Sequence, residues 1–142
     1  MKIKVAWIGK TKEPAIQALT DEYLKRIGRY ADVEGVAVKD EAALLKLARG
    51  PSTLVILDSA GKQLSSEEFA GYIRDHQDRN PVPLIFAIGP ASGFSPETRR
   101  AAALAISFGK MTVAHELARV VLLEQLYRAF TILKGHPYHL GH

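Results

Sequence analysis

From Lys2 to Ile8 polar and apolar residues alternate, as in a half-buried strand, and Gly9 ends the run. Pro14 suits the first turn of a helix. Ile16, Leu19, Tyr23, Ile27 and Tyr30 then recur at spacings of three and four, which predicts one apolar helical face. Val33 to Val38 reads as a second strand. Asp40 is placed to cap a helix running to about Arg49, where Gly50 and Pro51 stop it. Thr53 to Leu57 is a continuously apolar run ending at Asp58, the pattern of a parallel strand covered on both faces. The turn Ser59-Ala60-Gly61-Lys62 follows. Ser65 and Glu68 have capping-box spacing ahead of Phe69, Tyr72, Ile73 and His76. Leu84 to Ile88 is a further buried strand, followed by the loop Gly89 to Gly93. Ser95-Pro96-Glu97 starts the next helix. Ala105 to Phe108 reads as a fifth strand, and a last helix from about Glu116 to Lys134 ends at Gly135.

Strands alternating with helices predict an α/β fold with a parallel sheet and helices on both faces. No repeat, low-complexity segment or linker divides the chain, so residues 1–142 read as one domain. With 142 residues there is no room for a separate recognition domain, and a large substrate must be met by the catalytic domain or by an oligomer of it.

The absence of cysteine excludes disulfide scaffolds, zinc ribbons, iron–sulfur clusters and thiolate nucleophiles. The longest apolar run, Ala101 to Ile106, is far short of the ~18–20 residues that span a bilayer, and the first residues lack a signal-peptide core. The expectation is a soluble, cytoplasmic protein with no membrane partner. A net charge of +4 points mildly to a polyanionic partner and is concentrated toward both chain ends. Four of the five histidines lie in the last 28 residues.

In open α/β sheets, ligands bind beyond the carboxyl ends of the strands. Three segments occupy that position: Leu57 to Lys62, Ile88 to Gly93, and Phe108 to Val113. Each leaves its strand through small or glycine-containing sequence, so backbone could approach a nucleoside-like ligand closely; the alternative is that the glycines only make tight turns. No phosphate-loop or dinucleotide fingerprint occurs, which argues against a nucleotide triphosphatase or an ordinary dehydrogenase.

The final helix carries His115, Arg119, Glu124 and Arg128 among apolar residues spread too widely for a single stripe. That spread predicts burial on two sides, by the sheet and by a second subunit. Glu124 and Arg128 have the spacing of an intrahelical ion pair, and Arg128 is also open to an interface or RNA-facing role. Beyond the helix, Tyr138 and His139 could offer an aromatic face to a base and an imidazole that titrates near neutrality. His136 and His142 read as solvated tail residues.

The block MTVAHELARVVLLEQLYRAFTILKGHPYH, with the preceding SFGK, resembles the C-terminal signature of the ribosomal RNA large subunit methyltransferase H family. Further matches run along the chain: Gly9-Lys10, Glu22-Tyr23 with Lys25-Arg26, Leu57-Asp58 with Gly61-Lys62, Ser65-Ser66-Glu67 with Phe69-Ala70, and Ile88-Gly89. The resemblance implies a SPOUT fold whose C-terminal part, about residues 84–142, forms a trefoil knot that holds S-adenosylmethionine. It also implies a homodimer and methylation of N3 of a pseudouridine in helix 69 of 23S ribosomal RNA, on assembled ribosomes, with no metal.

By the same resemblance Leu57, Gly89, Phe108, Gly109, Lys110, Met111, Thr112 and Val113 match cofactor-contacting positions. Tyr138 and His139 match the pair that completes the active site over the target base. The chain departs from the family pattern at Pro90, at Gly109 where serine is common, at Ala114 where proline is common, and in ending Leu140-Gly141-His142. A sulfonium methyl donor is already electrophilic, so the expected protein contributions are alignment, with His139 as proton acceptor and Tyr138 holding the base. Lys10, Lys12, Lys25, Arg26, Arg29, Arg119 and Arg128 are the expected RNA contacts. The competing readings are a non-catalytic ribosome-binding SPOUT domain and an unrelated small-molecule α/β enzyme.

Overall fold

The computed structural model describes residues 1–90 and 92–140; the readings that fell on Ala91, Gly141 and His142 lie outside the described residues. Five strands, β1 (Lys2–Ile8), β2 (Asp32–Val38), β3 (Thr53–Gln63), β4 (Leu84–Ile88) and β5 (Leu104–Ser107), form one sheet in the order β2-β1-β4-β3-β5. Every pairing is parallel. Helices α1 (Pro14–Ile27), α3 (Ser66–Arg79) and α5 (His115–Leu133) cover one face, and α2 (Glu41–Leu47) and α4 (Pro96–Ala101) the other. The predicted α/β parallel architecture is borne out.

Local chemistry explains the element boundaries. Asp40 accepts the Ala43 N–H at 2.8 Å to start α2. Ser65 and Glu68 form the full capping box of α3, at 3.0 Å and 2.8 Å. Central β1 sends Ile3, Val5 and Trp7 into one core and Ala6 into the other, while β4 is buried along its whole length. That double coverage is what an uninterrupted apolar strand requires.

Two expectations needed revision. The segment Ser59 to Lys62 belongs to a lengthened β3, with a register shift between Leu57 and Lys62 against β5. Gly61 permits it, since a Cβ there would lie 2.7 Å from the Ala105 carbonyl carbon. On α1 the buried stripe is Ile16, Thr20 and Ile27, with Leu19 exposed. Thr20 joins the core because its hydroxyl donates to the Ile16 carbonyl at 2.7 Å, which removes the cost of burying it.

Helix α5 is flanked by α1 and α3 and rests on the sheet through Leu122, Leu123, Leu126, Ala129 and Phe130. Leu117 and Val121 stay exposed on its outer side, in sequence continuity with exposed Phe108, Met111 and Val113. Its apolar breadth is therefore largely explained within one chain, by the sheet and two neighbouring helices.

Candidate active site

The middle of β3, at Leu57 to Ser59, and the carboxyl ends of β4 and β5 surround one cleft of about 280 Å³. It brings together all three segments singled out in the sequence, the first of them as strand and not loop. Leu57, Gly89, Phe108, Gly109, Met111, Thr112 and Val113 all line it, whereas Lys110 is exposed and does not. Gly89 has a packing reason: a Cβ there would sit 2.8 Å from the Phe94 ring, which is buried beneath the loop. Pro90, lacking an N–H, is used as an acceptor and closes a turn by receiving the Gly93 N–H at 2.9 Å. Gly109 takes φ +126°, a conformation other residues rarely adopt.

The cleft also contains polar groups with no cofactor or catalytic role expected from the sequence. Asp58, nearly buried, pairs with Arg99 at 3.0 Å, and both line the cavity with His115. The Ser107 hydroxyl accepts the Gly109 N–H at 3.0 Å and lies 3.2 Å and 3.0 Å from the Ser59 and Gly109 carbonyls. It thus pins two of the cleft loops to each other. The position of Asp58 directly after an apolar strand was the one available signal. Arg99 carried none, since its approach depends on how α4 docks.

Arg119 is the clear correction. It is 1% exposed, so it cannot reach an RNA phosphate. Its guanidinium stacks over Trp7 with 3.9 Å to the ring centroid and donates to Thr11 at 2.8 Å and to Thr20 at 3.4 Å. Its Nε has no partner, and burial lowers the guanidinium pKa. Nearby, Glu116 accepts the backbone N–H groups of Lys12 and Glu13 at 3.1 Å and 3.3 Å, supplying the cap that α1 lacks. The loop bearing exposed Lys10 and Lys12 is thereby tied to the first turns of α5. Lys25 and Arg29 are also exposed, while Arg26 is engaged by Glu22 at 2.6 Å.

The tail folds back on α5. The Tyr138 hydroxyl donates to Glu124 at 2.6 Å and its ring packs edge-on against Tyr127, with 4.8 Å between centroids. Burial, and then the Glu124 bond, raise the Tyr138 pKa. The expected Glu124–Arg128 ion pair is present at 2.8 Å, and Arg128 also donates to His139 at 2.9 Å. His139 in turn meets Glu67 at 2.7 Å. His136, although exposed, bonds the Tyr30 hydroxyl through Nδ1 at 2.6 Å. Tyr138 and His139 thus come together with Arg128 but do not line their own chain's cleft. Ala118 at the cleft and Arg128 at the tail are separated by roughly 15 Å along the helix axis at 1.5 Å per residue.

A family model described as "Predicted SPOUT methyltransferase" matches residues 1–139. A ribosomal RNA large subunit methyltransferase H from Koribacter versatilis is 57% identical over 146 residues, covering 100% of both chains. Relatives of the same name from Geotalea daltonii and Geobacter sulfurreducens are 41% and 44% identical, each covering 98% of this chain and 99% of the relative.

The chain belongs to the ribosomal RNA large subunit methyltransferase H family, within the SPOUT methyltransferases.

The resemblance read from the C-terminal block is borne out. Among solved structures, a probable methyltransferase from Bordetella pertussis superposes with a TM-score of 0.60 at 14% identity, covering 90% of this chain and 95% of that one. The SpoU methyltransferase AviRb from Streptomyces viridochromogenes, solved in complex with AdoMet, gives 0.52 at 13% identity, covering 89% and 57%. At those identities the likeness supports the SPOUT-like fold alone.

Proposed function

We propose that this chain is an S-adenosylmethionine-dependent methyltransferase acting on N3 of a pseudouridine in helix 69 of 23S ribosomal RNA, on assembled ribosomes. The observation that carries this reading is full-length similarity at 57% identity to a ribosomal RNA large subunit methyltransferase H, joined to a cleft built by the middle of β3 and the loops after β4 and β5. Residues 1–142 act as one SPOUT domain, with a trefoil knot over about residues 84–142 forming the cofactor pocket. The reaction takes place in the cytoplasm, where ribosomes are; no helix among the described residues is long and apolar enough to cross a membrane. Among the described residues no group of three or more metal-ligating side chains occurs, and the reaction proposed needs none.

The cleft suits S-adenosylmethionine. Leu57, Ile88, Ile106 and Val113 supply apolar walls, glycine-rich loops bring backbone close, and Asp58, Arg99, Ser107 and His115 supply polar ends. We assign Leu57, Gly89 and the stretch Phe108 to Val113 to holding it, with Lys110 outside the cavity. The bound cofactor supplies an electrophilic methyl group. What remains for the chain is to orient the base and remove its imide proton.

Tyr138 and His139 do this from across a homodimer interface, the tail of one protomer serving its partner's cleft. The tail's docking well along α5 from its own cleft supports that arrangement. So does the exposed apolar strip of Phe108, Met111, Val113, Leu117 and Val121, a surface a monomer would leave in water. Exposed Lys10, Lys12, Lys25 and Arg29 meet RNA phosphates, joined by Arg26 and Arg128 where RNA displaces their carboxylate partners.

The deciding measurement is transfer of a radiolabelled methyl group to ribosomes lacking the modification. Incorporation at the helix 69 pseudouridine is expected, and replacing His139 by alanine should slow single-turnover transfer by about 100-fold or more. No incorporation by the wild-type protein would leave a ribosome-binding SPOUT domain without methyl transfer. Near-wild-type transfer by His139→Ala would remove His139 as the base.

A further inference from the structure

His139 bridges two helices. Arg128 of α5 lies 2.9 Å from Nδ1 through its Nη1, and Glu67, at the start of α3, lies 2.7 Å from Nε2 through its Oε1. A guanidinium carries only donors and an ionised carboxylate only acceptors. Nδ1 must therefore hold the lone pair and Nε2 the hydrogen, so the two neighbours select a single tautomer. Arg128 is itself oriented by Glu124, to which it donates from Nε at 3.3 Å and Nη2 at 2.8 Å. The charged and titratable groups facing the ring and its two partners are Arg128 and Glu124 from α5, Glu67 from α3, Tyr138 from the tail and, against Arg128 and Tyr138, Tyr23 from α1. The His139 side chain is 27% exposed and that of Glu67 64% exposed, so both are accessible at the surface of the protomer.

We propose that Glu67 is a positioning residue for the methylation, fixing His139 in its Nε2–H form while Arg128 covers Nδ1 until an RNA phosphate draws the guanidinium away. The proposal rests on the reading of this chain as a ribosomal RNA methyltransferase with its proton acceptor at His139. In the resting arrangement the only lone pair of the ring is taken by Arg128, and the base is silent. A phosphate attracts the guanidinium with charge-assisted, two-pronged geometry, which frees Nδ1. The N3–H bond of the pseudouridine then breaks, its electron pair stays on N3, and the proton bonds to Nδ1. The imidazolium so formed still donates from Nε2 to Glu67, whose water-screened charge favours it modestly. The proton leaves to water after transfer. Substrate RNA thus arms the base it needs.

Selective ¹⁵N labelling of the histidines of the full chain, read by NMR without RNA or cofactor, tests the clamp apart from any activity. In wild type, His139 should show an unprotonated Nδ1 and a protonated Nε2; a protonated Nδ1 overturns the proposal. Glu67→Gln keeps an acceptor for Nε2–H but removes the charge. It should preserve the tautomer while cutting kcat about tenfold at unchanged KM for ribosomes, with the acid limb of the pH–rate profile moved to lower pH. With Arg128→Ala, Glu67 should still hold the Nε2–H form, and adding Glu67→Ala should give a mixture of tautomers; Glu67→Ala alone should lose more kcat than Glu67→Gln. Full kcat and an unshifted profile in Glu67→Ala overturn the proposal. If the wild-type protein methylates no ribosomes, the functional reading fails and the catalytic half of the proposal with it. The NMR comparison of Arg128→Ala with the Glu67→Ala, Arg128→Ala double variant still decides whether Glu67 sets the tautomer.

Discussion

Arg119 and Arg128 lie nine residues apart on one helix, in similar apolar sequence, and they are put to opposite uses. Arg119 is sealed between Trp7, Thr11 and Thr20 and, among the described residues, has no carboxylate at ion-pair distance and no hydrogen-bond partner for Nε. Arg128 is held by Glu124 and in turn holds His139. The first is a large, partly apolar side chain spent on fixing β1, α1 and α5 to one another. The second is a cation kept near the surface, where a competing anion can move it. Burial decides the difference. A desolvated cation without an ion-pair partner costs stability, whereas a paired cation that keeps 16% of its side chain exposed has its charge compensated and can still be reached by a competing anion.

The contrast breaks most sharply under substitution. Arg119→Ala should lower folding stability by about 2–4 kcal/mol, through lost packing and the lost contact with Trp7. Arg119→Met fills the same space without a buried charge and should recover most of that loss in urea denaturation. If methionine is as damaging as alanine, the polar contacts to Thr11 and Thr20 outweigh the desolvation and the contrast fails. Arg128→Ala should change stability by less than about 1 kcal/mol, yet weaken ribosome binding and lower its salt dependence, because a cation that meets an RNA phosphate is lost while His139 keeps its bond to Glu67.

A smaller effect separates surface cations from the buried one. Replacing Lys10 and Lys12 together by alanine should weaken ribosome binding and reduce the slope of log affinity against log salt by about 1.5, near the ~0.7–0.9 expected per phosphate contact. Arg119→Met should leave that slope alone. The smallest effect concerns Tyr138, whose pKa is raised by burial and by its bond to Glu124. A group raised in the folded state stabilises it fully below its unfolded value, about 10, and loses that contribution as pH rises beyond. Wild type should therefore exceed Tyr138→Phe in stability by a constant margin up to about pH 10. The margin should shrink above it, as read by denaturation at a series of pH values.

Much of this molecule was legible in the chain because local rules governed it. The Asp40 cap, the Ser65–Glu68 capping box, the doubly buried β4 and the loops after β4 and β5 all fell where periodicity and turn chemistry put them, while the segment Leu57 to Lys62 reached the cleft side as part of β3. The Glu124–Arg128 pair followed from helical spacing alone. The long-range partners were not legible. Nothing near Glu67 in sequence points to His139, 72 positions away, and nothing near Glu116 points to the start of α1. Lys110 sat in the right segment but outside the cavity, since the conformation of an irregular loop decides which side chain faces in.

The sequence by itself determined the parallel α/β framework, the edge of the sheet where the cleft forms, and the family to which the chain belongs. Those depend on short-range patterning and on a contiguous C-terminal block. The tertiary structure alone decided which arginine is buried and which is available. It also decided which proton His139 carries and how far its tail sits from its own cleft. Each depends on groups brought together from different elements, and on the loss of water that turns a charge from cheap to costly.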